Sequence, residues 1–272
     1  MPSSGKTNEY ALGSADAEQE RLIRQAAWLS AHTESLFRRA GIGPGQRVLD
    51  LGSGVGDVAL IAGRLVGPAG IVVGVDRDPR AISRATARMV SLGLGHVRFT
   101  ETDVADLPET EPFDAAVGRY ILMFLRDPIA VLREVSRIVR PGGVVGFQEP
   151  CWKSFLEACE GLPLWRAGAA LLVETFHRTG TNTRMGPDLP AAFVAAGLPE
   201  PVTQTDTLFG AERWMPDVLH SLVPQTKALN LSLAPIGDLG TLYQRLLDEA
   251  ASRNMPVPLP SIVSAWARKR GV

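Results

Sequence analysis

The chain has 272 residues, 45% hydrophobic and 21% charged, with a formal net charge of −1. This ordinary globular composition suffices for one large domain with an appended lid, and the near-neutral charge argues against nucleic acid or an anionic membrane as partner. Cys151 and Cys159 are too few for a disulfide framework, the N-terminal stretch has no apolar signal region, and no run approaches roughly 18 apolar residues, so a cytoplasmic protein with no membrane segment is expected.

In chain order, residues 17–40 place Leu22, Ile23, Ala26, Leu29, Leu36 and Phe37 at helical spacing, with Gly41 as a stop. A GIGPG turn precedes a strand at 47–51, and 56–66 reads as a helix. IVVGVD (71–76) is a second buried strand, after which Asp78 caps and Pro79 opens a helix to about Leu92. HVRFTETD (96–103) gives a third strand, FDAAVG (113–118) a fourth, and 128–139 a helix. The turn RPGG leads into a fifth strand at 144–150. Strands alternating with helices in this way predict a doubly wound, mostly parallel α/β sheet.

After Pro150 the rhythm changes. Residues 152–179 and 189–196 read as helical, 202–209 as a strand, 212–254 as two helical segments, and SIVSAWARK (261–269) as a last strand. The last two strands are expected to complete a seven-stranded sheet, with 152–187 and 211–257 as helical lid insertions over one edge. This organisation has a cover helix in 1–45, a cofactor-binding core in 46–150, and a lid plus final strands in 151–272, all one domain.

The segment RVLDLGSGVGD (47–57) runs a strand into three glycines spaced two apart. Glycines there let the backbone turn tightly and approach a ligand, and the helix that follows points free N–H groups at it. A dinucleotide fingerprint needs its third glycine three places after the second, at the position occupied by Asp57. The spacing Asp50-x-Gly52-x-Gly54-x-Gly56 instead resembles the first motif of class I S-adenosylmethionine-dependent methyltransferases. GVDRDP, ETDVADLP, FDAAVGRYILMFLRDP and LREVSRIVRPGGVVGFQEP resemble that family's later motifs in order, and SIVSAWARK resembles its last strand.

The resemblance implies a Rossmann-like methyltransferase fold and S-adenosyl-L-methionine as cofactor, with no metal called for. It assigns Asp76 to both ribose hydroxyls, and Asp103 with the Val104 backbone N–H to the adenine. Asp50 lies near the cofactor ammonium, and the loop Gly52, Ser53 and Gly54 contributes N–H groups to its carboxylate. A backbone carbonyl at the end of the fourth strand, at Gly118 or Arg119, is a candidate second acceptor for the ammonium. Arg119 stands open between the carboxylate and a surface salt bridge, while Arg77 suits stacking on the adenine through its stem. Tyr10 is a candidate to close over the methionine end and Gln25 or Arg21 to reach the carboxylate, set against the favoured reading of all three as a solvated helix face.

Methyl transfer from a sulfonium is an in-line displacement that depends chiefly on alignment, so a strong base signature is not required. The DNA amino-methylation motif, the paired-glutamate loop of protein arginine methyltransferases and the N-terminal pattern of quinone C-methyltransferases are all missing. The expected acceptor is a small, specialised metabolite methylated at O, N or C, and a homodimer is compatible with the sequence. Trp152, Phe155, Trp165, Phe176, Trp214 and Met215 are candidates for an apolar pocket, set against the reading that most of them are lid core. His177 is the candidate base. Glu149 ends the fifth strand as an acceptor-binding group or a simple cap, with Tyr120 placed similarly after the fourth. Arg178 or Arg184 would suit an acidic substrate, or else be solvated. The alternatives are an NAD(P)-dependent oxidoreductase and a cofactor-binding protein that does not methylate.

Overall fold

Where an apolar, β-branched run meets glycine, proline or a cap, a strand ends, and the computed structural model contains all seven such strands. It describes residues 16–104, 106–107, 111–210 and 213–271. Five strands come before the lid: β1 (Arg47–Leu51), β2 (Ile71–Asp76), β3 (Val97–Glu101), β4 (Phe113–Arg119) and β5 (Val139–Cys151). The last two are β6 (Val202–Asp206) and β7 (Ser261–Arg268). They form one sheet in the order β3-β2-β1-β4-β5-β7-β6, parallel except for β7, which runs antiparallel to both neighbours. Strand order reverses between β1 and β4, both parallel to each other. Ligands bind at such a switch point, outside the strands' carboxyl ends.

The core helices are α1 (Asp16–Ala40), α2 (Asp57–Val66), α3 (Pro79–Ser91) and α4 (Pro128–Ile138). Asp78 caps α3 by accepting from the Arg80 N–H at 3.0 Å, with Pro79 in the first turn. Alternation along β1 sends Val48 to the cluster holding Leu36 and Phe37 of α1, and Leu49 and Leu51 to the cluster shared with α4 and the lid. No helix among the described residues is long and apolar enough to cross a membrane.

The lid departs from the sequence reading in its breaks. Residues 152–179 are two helices, α5 (Trp152–Ala158) and α6 (Pro163–Arg178), because Gly161 adopts φ +87° and Pro163 restarts the chain. Helix α7 (Met185–Ala195) begins four residues before the expected start. Strand β6 stops at Asp206, leaving Phe209 in an isolated bridge to Pro258. Helices α8 (Trp214–Ala228) and α9 (Leu239–Ser252) complete the lid. Glu249 of α9 caps α6 by accepting from the Leu164 and Trp165 amides at 2.9 and 3.0 Å, and the Trp165 indole donates to the Leu246 carbonyl at 2.9 Å. These bonds fix α9 on α6, and the buried lid side chains continue the cluster that holds Leu49, Leu51 and α4.

Candidate functional site

Two of the loop glycines have separate reasons to be glycine. At Gly52, φ is +63° and a Cβ would sit 2.6 Å from Ile121 Cδ1, so the loop and the turn after β4 approach too closely for a side chain. At Gly54, φ is +50° and a Cβ would meet nothing within 4 Å, because this residue borders open space. That space is a cavity of about 730 Å³. Gly52, Ser53 and Gly54, Asp76 and Arg77, Asp103 and Val104, and Arg119 all line it, so eight of the residues proposed from sequence converge on one wall.

Asp76 holds the wall together. Its Oδ2 accepts from the Gly54 N–H at 2.8 Å and its Oδ1 from the Asp78 N–H at 2.9 Å, tying the loop to the start of α3. Each carboxylate oxygen keeps further lone-pair capacity, as two vicinal hydroxyls would require. Val104 is buried, while Asp103 and Arg77 stand exposed on the rim.

Asp50 is 1% exposed, and neither oxygen has a hydrogen-bond partner in the structure. Burial pushes its pKa well above the ordinary carboxylate range; Arg119 and the Ala59 N–H pull it back without either closing a hydrogen bond of normal geometry. The Ser53 hydroxyl is equally buried and unpaired. Leaving such groups unmade costs about 1–3 kcal/mol each; Ser53 lines the cavity, whereas Asp50 is not among the lining residues and lies behind the loop, where its carboxylate favours a cation on the loop's far side. These orphans and the open cradle at Gly54 fit S-adenosylmethionine. Arg119 lines the cavity and donates from Nη1 to Thr33 Oγ1 at 2.8 Å, so it is no surface salt bridge. Burial lowers its pKa, with Asp57, Tyr120 and Asp50 working in the other direction.

Asp57, in the first turn of α2, also lines the cavity and is paired with Arg88. A carboxylate at that helix start is hostile to a pyrophosphate, which disfavours the oxidoreductase reading.

Helix α1 contributes a polar face to the cavity, where the solvated-face reading of Arg21 and Gln25 does not hold. Glu18 and Arg21 are 2% and 3% exposed and paired at 2.6 Å. Arg21 donates to Gln25 Oε1 at 2.6 Å, and the Trp214 indole donates to the same oxygen at 3.1 Å. All four line the cavity. Positions 18, 21 and 25 share one helical face, a signal visible in the sequence had α8 been known to lie across it. Tyr10 lies outside the described residues.

At the lid end the wall is aromatic. Trp152 lies 5.2 Å from Phe176 and 6.2 Å from Trp214 between ring centroids, and all three line the cavity. Phe155, Trp165 and Met215 are fully buried behind that wall, in keeping with the reading of them as lid core. His177 is also corrected. Phe176 points inward, so the next residue is turned about 100° away on the helix; His177 is exposed and is not among the cavity's lining residues. Arg178 and Arg184 are paired on the surface with Glu174 and Asp188.

Glu149 is fully buried and is no part of the cavity wall. Its Oε1 accepts from the Ile121 and Leu122 amides at 3.1 and 2.8 Å, so it acts on the chain as a cap, and its assignment as an acceptor-binding group is corrected. Burial pushes its pKa up to about 8. The capped turn follows Tyr120, which lines the cavity and holds φ at +56°, a left-handed conformation that costs a non-glycine residue on the order of 1 kcal/mol or more.

A profile of the methyltransferase domain family matches residues 42–185. An uncharacterized protein of Mycobacterium tuberculosis is 35% identical over 112 residues, covering 41% of this chain and 39% of that protein. The chain thus spans about two fifths of that relative's length. The ubiquinone/menaquinone biosynthesis C-methyltransferase UbiE of Pseudomonas putida is 30% identical over 189 residues, 62% of this chain and 73% of UbiE. The crystal structure of geranyl diphosphate C-methyltransferase from Streptomyces coelicolor, in complex with Mg2+, geranyl diphosphate and S-adenosyl-L-homocysteine, superposes with a TM-score of 0.57. It covers 95% of this chain and 87% of that one at 19% identity, a likeness of fold.

Proposed function

Because the chain belongs to the class I S-adenosylmethionine-dependent methyltransferases, we propose that it transfers a methyl group to a small, apolar, uncharged acceptor held under the helical lid. One observation carries this reading: a single cavity joins the glycine loop to a chamber walled by Trp152, Phe176, Trp214, Val218 and Leu259, and the charged lining residues beside Trp214, Glu18 and Arg21, are paired with each other. A diphosphate or carboxylate acceptor would find the cation beside Trp214, Arg21, already paired with Glu18, and would be desolvated at a cost of several kcal/mol.

S-adenosylmethionine supplies a methyl group on a readily leaving sulfonium. The chain's part is to bind and align. Asp76 takes the ribose hydroxyls, Asp103 and Val104 flank the base, and Asp50 with the loop receives the amino-acid end. Tyr120 and Ile121 form the wall where the two ends of the cavity meet, and the lid excludes water behind the acceptor. Burial raises the Tyr120 phenol further above its ordinary range, so it stays protonated at neutral pH and does not serve as a base. The acceptor must therefore supply its own nucleophilic atom.

Calorimetry with S-adenosylhomocysteine tests the proposal. Saturable binding that NADH neither matches nor displaces is expected, whereas tighter NADH binding or no binding of the homocysteine product would remove it. Incubation with methyl-labelled cofactor and a small-molecule cell extract must then yield a labelled product, which a cofactor-binding protein without transfer activity would not form.

A further inference from the structure

Two polar atoms of the lid end have no partner, and they are of opposite kinds. Trp152 is 5% exposed, and its indole Nε1, a donor only, is shut off from solvent without an acceptor. Gln225 Oε1, an acceptor, is buried without a donor. Both residues line the cavity. The elements that carry them pack together: the Trp152 ring lies against Phe176 of α6, and α6 meets α8, which carries Gln225, through the Thr175 and Thr226 hydroxyls at 3.3 Å. Buried polar groups in native proteins are nearly always satisfied, and an exception beside a cavity points to the ligand as the missing partner.

Resting on the methyltransferase reading above, we infer that the lid end is a recognition site for a hydroxyl group on a planar apolar acceptor, the hydroxyl oxygen taking the Trp152 N–H and its proton going to Gln225 Oε1. The match is chemical. A hydroxyl accepts and donates at once, so it answers both orphans. A carbonyl would answer Trp152 alone and an ammonium Gln225 alone. A carboxylate would bring a charge while the lining cation beside Trp214, Arg21, is already paired with Glu18. The surrounding rings of Trp152, Phe176 and Trp214 supply flat apolar faces for the body of the molecule. Tyr120, whose hydroxyl makes no hydrogen bond among the described residues, offers a further neutral group where the two ends of the cavity join.

The test is calorimetry on the full chain, with and without saturating S-adenosylhomocysteine, using 2-naphthol, 2-methylnaphthalene and 2-naphthoate as probes. 2-Naphthol is expected to bind about tenfold more tightly than either of the others, the margin of one or two neutral hydrogen bonds. Gln225→Leu, and separately Trp152→Phe, should collapse that preference to about twofold, read as the ratio of the two affinities in each variant, while leaving the S-adenosylhomocysteine affinity where it was. Thermal melting checks that each variant is folded, and Gln225→Leu decides alone if Trp152→Phe is not. Equal or tighter binding of the hydrocarbon or the carboxylate overturns the inference. So does a preference that survives in the variants, or no binding of any probe. Failure of S-adenosylhomocysteine to bind is a different result: it removes the methyltransferase reading and leaves the probe ranking without cofactor to be read by itself.

Discussion

At the glycine-loop end of the cavity, the polar groups that shape the site belong to turns between strand and helix. Gly52 and Gly54 hold positive φ, Asp76 bonds two backbone amides, and Asp78 caps the next helix. At the lid end, the wall is made of side chains from α5, α6 and α8, and its shape depends on how those helices pack on one another and on α9. The first end is therefore fixed by local backbone chemistry and the second by tertiary packing. Damage should separate accordingly: changes in the lid core should cost stability and spare the cofactor, while changes at the loop should cost cofactor affinity first.

The largest expected effect is at Trp165, which is 0% exposed and bonded through its indole to Leu246. Trp165→Ala should lower stability by about 3–5 kcal/mol, measured by urea titration, because it opens a cavity and strands a carbonyl. S-adenosylhomocysteine affinity of the folded fraction should stay within about twofold, since the residue lies behind the wall. A parallel collapse of cofactor affinity would show that the two ends are not separable.

Gly52→Val attacks the other end. A branched side chain at φ +63°, with a Cβ 2.6 Å from Ile121, must push the loop off the turn after β4. Calorimetry should find S-adenosylhomocysteine affinity down by roughly 100-fold, or about 2.7 kcal/mol. Asp76→Ala follows, with a loss of about tenfold or more from unpaired ribose hydroxyls and two released amides. Unchanged affinity in that variant would count directly against the ribose assignment.

A pH prediction sharpens the comparison, because buried acids lie behind both ends. Glu149, with its pKa raised from 4.5 to about 8, binds a proton in the folded state that the unfolded chain has released. Stability from this group is fully present below pH 4.5, declines as pH rises, and is lost by about pH 8. Its slope is at most about 1.4 kcal/mol per pH unit. Asp50, also raised by burial, contributes with the same sign. Melting temperatures should therefore fall from pH 5 to 8, and Glu149→Gln, which keeps an acceptor for the Ile121 and Leu122 amides, should fall less steeply. An unchanged slope would place the proton elsewhere.

The same division explains what the sequence disclosed. The strand runs of β1, β2 and β4 are short, apolar and bounded by Gly, Pro or a cap, so their order and the cofactor wall could be read directly. Trp152 and Trp165 could not be told apart: both are tryptophans in apolar helices, and only the packing of α9 makes one a core residue and the other a wall. Arg21 and Gln25 have the composition of a solvated face until the Trp214 indole bonds to Gln25. The break between α5 and α6 was legible in principle, since Gly161 and Pro163 are adjacent stop and start signals, but the apolar run around them masked it.

The smallest effect tests the lid most directly. His177 has the side chain best suited to proton transfer near neutral pH, yet it is exposed beside an inward Phe176. His177→Ala should leave S-adenosylhomocysteine affinity and label transfer into the extract within about twofold, the range of surface substitutions away from a site. Chemistry at the lid end would then rest on neutral groups alone. A loss of label transfer of tenfold or more, with cofactor affinity unchanged, would mean that α6 turns when the acceptor binds. The aromatic wall would then be one face of a moving helix and not a fixed chamber.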